Sequence, residues 1–447
     1  MLRRFATSCL FVALAIPVSA RTRPHYGGIL RIEIEGDPWQ RPDGLARRLV
    51  YDGLTVLDRT GAVRPALAVA WESDNTDHRW QFRIRQGVHF HDGSALTSLT
   101  VAASLTASCA ADCPWTNVRS VGPAVVFTSD SPMPSLPALL ADGRFLIGLT
   151  ATAEGRTPAN AIGTGPFQLN GFDNGVLSLI ANENCWQGRP FADGIQIRVR
   201  RPVHDQWLDL SLGRTDVVEV PAELLRQAQQ QHLTLVASPA SSLLALQISN
   251  TGPLANLKLR EAIAAAVDRS ALFNVIFQKQ GEITASLLPQ SLTGYSFLFP
   301  RDRDLNKAHE LRGGQTPPPL ILSAEGDGAM QLAAQRIALN LREAGFNVQM
   351  AAATQHADLT LRMLPLENSD PPAALETMLR SAGQAASVVE KTPADLFKVE
   401  AAFLSQKTMI PLLNLPRAYA IGGRIRDVKL RSGNSPDLAD ASLEGAP

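Results

Sequence analysis

The clearest pattern of alternating apolar and polar residues lies near the middle of the chain. Residues 167–171 alternate between the two classes, and a second apolar run follows at 176–180. The tripeptide Asp173-Asn174-Gly175 between them has the residue types that tolerate the positive φ of a tight turn, so this stretch predicts a β-hairpin. Residues 195–199 alternate in the same way, which predicts one more half-buried strand.

Helix-period patterns are interleaved with strands elsewhere. Residues 320–322 and 346–350 read as strands, and Met330, Ala334, Ile337 and Leu341 recur at helical spacing between them, so this stretch predicts a βαβ unit. An apolar strand is predicted at 243–250, followed by a helix capped by Asn256. Two further strands are predicted at 124–128 and 145–149. The chain is therefore of the α/β class.

Length and composition limit the classes of function. With 447 residues and 45% hydrophobic content, the chain can form large cores and is expected to divide into two or three domains. Lysine and arginine total 42, as do aspartate and glutamate, and no basic cluster is longer than a pair. This balance argues against nucleic acid or an anionic membrane surface as a partner.

The N-terminus has the pattern of a signal peptide. Arg3 and Arg4 precede an apolar core at 9–18, and Val18-Ser19-Ala20 has the small residues of a cleavage site. We therefore predict a signal peptide at residues 1–20, cleaved near Ala20, and an exported soluble protein. A retained membrane anchor is the alternative, although the apolar core is too short to span a bilayer.

Three cysteines remain after the signal peptide. Cys109 and Cys113 are four residues apart and form a disulfide candidate in an oxidising compartment, which would leave Cys185 unpaired. Three free thiols, or a structural metal site, are the alternatives.

A series of short motifs resembles the family 5 extracellular solute-binding proteins, the peptide and nickel receptors of ABC importers. Residues 163–167 read G-T-G-P-F, and residues 182–193 contain the N, W, G, P and D of the motif that follows it in the family. Residues 84–93 (I-R-Q-G-V-H-F-H-D-G) and 259–269 (L-R-E-A-I to D-R) are similar to two further family motifs. The resemblance covers about residues 26–430.

The resemblance implies a two-lobed periplasmic binding protein-like fold of type II, with an extra small domain in the first lobe. We assign residues 21–50, 160–238 and 415–447 to lobe I, residues 51–159 to the small domain and residues 239–414 to lobe II. The implied function is to capture a small solute between the lobes and deliver it to an ABC transporter permease in the inner membrane. The expected protein is a periplasmic monomer, without cofactor or metal, and not an enzyme.

Five residues are predicted to bind the ligand. Asp37 and Trp39 lie in a loop that leaves the first strand, where open α/β sheets place ligands; the alternative for Trp39 is an anchor packed under that loop. Asn250 lies at the end of a predicted strand. Glu367 and Asp370 align with the acidic loop that holds a peptide's amino group in similar proteins; the alternative is a solvated acidic loop. A peptide or similar amine-bearing ligand is therefore expected.

Two other functions remain as alternatives. His89, His91 and Asp92 lie close together and suggest a metal-dependent hydrolase, although in the family this segment is a tight turn. The shortened region after Cys113 suggests a scaffold that has lost its ligand and serves as an interaction protein. The sequence contains no nucleophile elbow, phosphate loop or zinc motif, which favours a binding protein.

Overall fold

The computed structural model describes most of the chain after the predicted signal peptide. The described residues are 25–39, 44–58, 61–108, 113–149, 161–296, 299–314, 318–326, 328–351, 357–366, 368–384, 388, 392–430 and 436–444, with only the backbone at 239–240. The predicted signal peptide, Cys109 and Glu367 lie outside them. Within these ranges no helix has both the length and the apolar character needed to cross a membrane.

Strands and helices alternate along the described chain. The strands are β1 (Ile29–Glu33), β2 (Thr55–Leu57), β3 (Val63–Pro65), β4 (Ala68–Ser73), β5 (Arg79–Ile84), β6 (Asn117–Val121), β7 (Ala124–Thr128), β8 (Phe167–Asp173), β9 (Val176–Ala181), β10 (Gly194–Arg198), β11 (Val217–Val220), β12 (Thr234–Ile248), β13 (Glu282–Ile283), β14 (Leu320–Ala324), β15 (Val348–Met350), β16 (Leu359–Pro365), β17 (Met409–Ile421), β18 (Ile425–Arg426), β19 (Lys429–Leu430), β20 (Pro436–Asp437) and β21 (Ser442–Leu443). The α-helices are α1 (Leu45–Val50), α2 (Ser98–Ser108), α3 (Leu136–Leu139), α4 (Val203–Ser211), α5 (Leu225–Gln230), α6 (Leu257–Ala266), α7 (Arg269–Ala271), α8 (Gln290–Thr293), α9 (Leu305–Arg312), α10 (Ala329–Glu343), α11 (Pro371–Ser381) and α12 (Pro393–Ser405).

One mixed sheet runs through both lobes. Its strand order is β15-β14-β16-β12-β17-β11-β1-β10-β9-β8, and β13 pairs with β17 at the side. Strand β1 is parallel to both β10 and β11 in lobe I, and β14 is parallel to both β15 and β16 in lobe II. Separate apolar cores cover the two halves of this sheet, so each lobe has its own buried centre.

The strands β12 and β17 connect the lobes. Their first paired stretch joins residues 234–238 to 417–421, and their second joins residues 242–247 to 409–415. The register shifts between Ser238 and Ser242, and again between Leu244 and Ala245, where β17 contains Pro411. Proline lacks a backbone N–H, which confines it to irregular points of a sheet interior. The two strands therefore pass from one lobe to the other side by side with a break in the middle.

The small domain is built on a four-stranded antiparallel sheet of order β4-β5-β7-β6. Its core packs Phe82 against Phe127 and Phe127 against Trp115, with ring centroids 5.4 and 5.0 Å apart. The predicted strand at 124–128 is confirmed as β7. The predicted strand at 145–149 is wrong, because a 3-10 turn at Gly143–Phe145 and a single bridge from Ile147 to Asp52 occupy that stretch.

The predicted hairpin and helix cap are confirmed. Strands β8 and β9 pair antiparallel, and Asn174 and Gly175 between them have φ values of 50° and 76°. The side chain of Asn256 accepts a hydrogen bond from the backbone N–H of Lys258 at 3.0 Å, which caps α6. The βαβ unit is present as β14, α10 and β15.

The G-T-G-P motif packs closely against the backbone at the end of α1. A Cβ at Gly163 would lie 2.0 Å from the carbonyl oxygen of Val50, and one at Gly165 would lie 2.6 Å from that of Leu49. Thr164 between them donates a hydrogen bond of 2.8 Å to Asp52, which also accepts one of 2.9 Å from the indole of Trp186. Glycine is thus required here for close backbone approach.

The histidine cluster packs against the same G-T-G-P segment. Nε2 of His91 lies 3.0 Å from the carbonyl oxygen of Gly165, and Nδ1 of His91 lies 3.3 Å from the backbone N–H of Gly163. Asp92 accepts two hydrogen bonds from Ser94 in a tight turn, and His89 is exposed. Because both ring nitrogens of His91 contact backbone, the segment fits the tight turn rather than the hydrolase alternative. No candidate metal cluster occurs among the described residues.

Cys113 is disulfide-bonded, and Cys185 is a buried free thiol. Cys109 lies outside the described residues, so the Cys109–Cys113 pairing stays a prediction.

Candidate ligand-binding cleft

A cavity of about 580 Å³ lies where β12 and β17 break between the lobes. Ser242 and residues 415–417 form its floor. Lobe I contributes residues 219–223, the small domain contributes Arg144, and lobe II contributes its remaining walls. Those lobe II residues are Phe277, Glu325, Ala329, Met330, Arg362, Met363, Leu364, Pro365, Thr377 and Ser381. The volume falls within the range of small-molecule sites.

Local topology explains why these residues meet. Residues 219–223 are at and beyond the carboxyl end of β11, Glu325 follows the carboxyl end of β14, and Pro365 ends β16. Open α/β sheets place ligands beyond the carboxyl ends of their strands. The two lobes present such ends to each other across the broken strands, so the cavity is the cleft between them.

Four charged side chains of the cleft form ion pairs. Nε of Arg417 donates to Glu219 at 3.0 Å, joining β17 to β11 within lobe I. Nε of Arg362 lies 3.0 Å from Glu325, and Arg362 also donates to Gln247 at 2.9 Å. These pairs fix two carboxylates and two guanidinium groups on opposite sides of the cleft, where each remains partly exposed.

Glu223 differs from these four. It lines the cleft just after β11, is partly buried, and has no ion pair with any described residue. Burial raises the pKa of Glu223, and the neighbouring carboxylate of Glu35 raises that pKa further. A carboxylate in this setting is stabilised by any cation that enters the cleft.

The predicted residues in the first loop do not line the cavity. Asp37 is exposed and accepts a hydrogen bond of 2.8 Å from the backbone N–H of Trp39. Trp39 is 6% exposed and packs edge-on against Tyr51, with ring centroids 6.3 Å apart. Its position is that of the anchor rather than the ligand platform.

The other predicted residues have different positions. Asn250 is exposed beyond the distal end of β12, eight residues and therefore about 26 Å along the strand direction from Ser242. The side chain of Asp370 accepts a hydrogen bond of 3.1 Å from the backbone N–H of Ala373 at the start of α11. Glu367 lies outside the described residues, although Pro365, two positions earlier, lines the cleft.

The loop around Asp370 joins lobe II to the small domain. Asn368 is 3% exposed and donates 2.9 Å to the carbonyl oxygen of Ala138, and Ala373 packs with Leu57 and Leu139. Arg144 donates to Thr377 at 3.3 Å across the same boundary. We call the set Leu57, Ala138, Leu139, Asn368 and Ala373 the closure contact, because it joins lobe II to the small domain.

Comparison with known proteins identifies the family. The model of bacterial extracellular solute-binding proteins, family 5, matches residues 62–385, which is well over half of the chain. The chain belongs to this family. A family 5 protein is an extracellular solute-binding protein, in agreement with the predicted export. Several of its curated relatives carry the names of binding proteins.

Two curated relatives and one solved structure define the likeness of this family 5 protein. It is 27% identical to the glutathione-binding protein GsiB of Salmonella typhi over 62% of this chain and 58% of the relative. It is 23% identical to the probable di/tripeptide-binding protein 5 of Pseudomonas aeruginosa over 65% of this chain and 64% of the relative. The chain spans about half the length of the curated relatives it matches, from 29% for the protein YhjP of Bacillus subtilis to 64% for the Pseudomonas protein.

The solved structure confirms the fold. The binding protein AgaA of A. tumefaciens R10, in complex with agropinic acid, superposes with a TM-score of 0.79 at 21% identity, over 93% of this chain and 99% of AgaA. The predicted two-lobed type II fold of this family 5 protein is therefore correct.

Sequence reasoning missed the charged residues of the cleft. From the sequence alone, Pro221-Ala222-Glu223 predicts only a helix start, and a 3-10 turn does begin there. The usable signal was the position of Glu223 directly after the buried strand β11, the same rule that selected Asp37 after β1. The pairing of β12 with both β16 and β17, which brings Arg362 and Arg417 to one cleft, has no local signature.

Proposed function

We propose that this protein is the substrate-binding component of an ABC importer and captures a small amine-bearing solute, of di- or tripeptide size, in the cleft between its lobes. The supporting observation is Glu223, a partly buried carboxylate without an ion pair among the described residues. The names of the relatives, which include di/tripeptide-binding and glutathione-binding proteins, agree with this proposal.

The charges of the cleft suit a ligand with both signs of charge. Arg144, Arg362 and Arg417 carry positive charge, and Glu219, Glu223 and Glu325 carry negative charge. Two of the carboxylates are held by Arg417 and Arg362, so Glu223 is the acid left for a ligand ammonium group. Arg362 keeps a donor for a ligand carboxylate, because a guanidinium carries five N–H groups and its contacts with Glu325 and Gln247 use only Nε and Nη1.

The proposed role needs no catalytic step. Binding by lobe closure requires only a cleft and two positions of the lobes, and the protein then presents the solute to its permease. We propose that the mature protein is periplasmic, begins near Arg21, acts as a monomer and binds no nucleic acid.

Glu367 is the second proposed acid of the site. It follows the cleft-lining residues of β16 in sequence, and Asn368 beside it is buried in the closure contact. We keep Glu367, with Asp370 as its support, as the alternative holder of the ligand's positive end. Glu367→Gln and Glu223→Gln, compared on one ligand, separate the two assignments.

A thermal-shift screen tests the function. Di- and tripeptides with a free amino group should raise the midpoint of unfolding, because a ligand that binds only the folded state stabilises it. The same peptides with an acetylated amino group should not, since acetylation removes the charge that Glu223 is proposed to hold. Equal shifts from the acetylated peptides, or shifts from neutral sugars alone, would contradict an amine-binding cleft. Native mass spectrometry of protein purified from its own host would name the ligand.

A further inference from the structure

A second cavity, of about 350 Å³, lies inside lobe II and shares no lining residue with the cleft. Its walls are one face of α6, the start of α9, the end of α12 and the first residues of β17. Much of the lining is apolar: Ala264, Ala265, Ala285, Phe299, Pro300, Leu311, Leu404, Met409, Ile410 and Pro411. Its size is at the lower end of the range for small-molecule sites.

Two cationic side chains of this cavity, Arg269 and Lys407, have N–H groups that donate no hydrogen bond among the described residues. Arg269 is 3% exposed, and its Nε donates 2.9 Å to the carbonyl oxygen of Pro411 while Nη1 donates 3.3 Å to that of Arg301. Nη2 of Arg269 has no bond within the described parts of the chain. The ammonium of Lys407 lies 3.3 Å from the centroid of the Phe299 ring and makes no hydrogen bond or ion pair with a described residue.

The acidic residues of the lining are placed less deeply than Arg269. Asp302 and Asp304 are exposed, and Asp304 accepts a hydrogen bond of 2.9 Å from the backbone N–H of Lys307 as the cap of α9. Glu261 is half-buried and is the acid that acts on Lys407. Burial lowers the pKa of Lys407 to about 8, and the positive charges of Arg269 and Lys307 contribute although Glu261 opposes them. Asp302 acts on Arg269 and Glu261 acts on Lys407, but neither acid forms an ion pair with these cations among the described residues, so both cations keep N–H groups for a ligand acceptor.

We propose that this cavity binds a small organic anion, a carboxylate with an apolar body, whose carboxylate pairs with Lys407 and Arg269 while its hydrocarbon packs on the alanine and leucine wall. A carboxylate supplies acceptors for the unused N–H groups of both cations, and charge-assisted bonds of this kind are the stronger ones in proteins. The apolar lining excludes water from the pair and selects against inorganic anions.

Calorimetric titration of the full-length mature protein with hexanoate tests this site, with hexylamine as the probe of opposite charge. Hexanoate should bind and hexylamine should not. Lys407→Met keeps the aliphatic stem and should weaken hexanoate binding about tenfold or more, since it removes a hydrogen bond to a charged group. Lys407→Arg keeps the charge and should retain the binding. Lys398→Met, an exposed lysine of α12 paired with Asp395, is the matched control and should leave binding unchanged.

The pH dependence gives a second readout. Hexanoate affinity of the wild-type protein should fall at pH values well above 8, as Lys407 loses its proton, and Lys407→Arg should remove that fall because arginine stays charged. Absence of hexanoate binding, equal binding by Lys407→Met, or loss of binding in Arg362→Met, which removes a guanidinium group of the cleft, would each overturn the proposal. The last result would place the anion in the cleft instead.

Discussion

Burial of Glu400 should contribute stability at acidic pH that is lost at alkaline pH. Glu400 lies in α12 with no exposed surface and accepts hydrogen bonds from Tyr295 at 2.8 Å and from the backbone N–H of Leu287. Among the described residues, no cation acts on it. Burial raises the pKa of Glu400 from 4.5 to about 7, although the bonds from Tyr295, Leu287 and Leu288 lower it. The folded protein therefore holds this proton more tightly than the unfolded chain.

The sign and size of the effect follow from that difference. The stabilising contribution is fully present below about pH 4.5 and is lost as the pH rises through about 7. At about 1.4 kcal/mol per pKa unit, the loss is about 3 kcal/mol in full and roughly 2 to 3 kcal/mol between pH 5 and pH 8. Glu400→Gln is neutral at every pH and should lack this loss.

Urea unfolding at pH 5 and pH 8 measures this loss of stability. The wild-type free energy of unfolding should fall by roughly 2 to 3 kcal/mol more than that of Glu400→Gln over this interval. Any constant cost of placing an amide among the donors cancels in the comparison. Glu310→Gln, an exposed glutamate of α9, is the control and should follow the wild type. Equal pH dependence in wild type and Glu400→Gln would refute the reasoning.

Three further predictions concern the frame around the cleft. Gly163→Ala should lower the free energy of unfolding by about 2 to 3 kcal/mol, because the new Cβ would clash with the carbonyl oxygen of Val50. Gly423→Ala has open space at its Cβ position and should not lower it. Differential scanning calorimetry compares the two variants. Thiol titration of the denatured, unreduced mature protein should find one thiol, that of Cys185, and three would exclude the disulfide. Asn368→Ala should weaken the closure contact by about 1 kcal/mol, because it removes the hydrogen bond to Ala138. Small-angle X-ray scattering of the ligand-free protein should then show a larger radius of gyration. An unchanged radius would show that the contact does not hold the lobes together.

Much of the fold was predictable because it depends on local chemistry. The Asn174-Gly175 turn, the Asn256 cap and the strand β7 are each determined by residues within a few positions of one another. The motif resemblance also gave the two-lobed fold. The role of Gly163 was only partly accessible, since the sequence shows that a glycine is present but not that Val50 lies against it.

The cleft was much less predictable because it is assembled from distant segments. Glu223 follows β11, and β11 pairs with residues 418–421 of β17, which are distant in sequence; this pairing brings Glu223 and Arg417 into one cavity. Trp39 follows a strand end as a ligand contact would, but the Tyr51 ring and the lobe I core bury it. An apolar pattern cannot distinguish a buried anchor from a ligand platform.

The most direct test of the central claim is calorimetric titration of Glu223→Gln beside the wild type, using the free-amine peptide with the largest thermal shift. The substitution keeps the side chain's size and removes its charge. Loss of a charge-assisted bond to an ammonium group in a partly buried site should cost about 2 kcal/mol, which is a roughly 30-fold weaker affinity. Glu310→Gln should bind as the wild type does. Unchanged affinity in Glu223→Gln would contradict the account and show that the ligand's charge is held elsewhere.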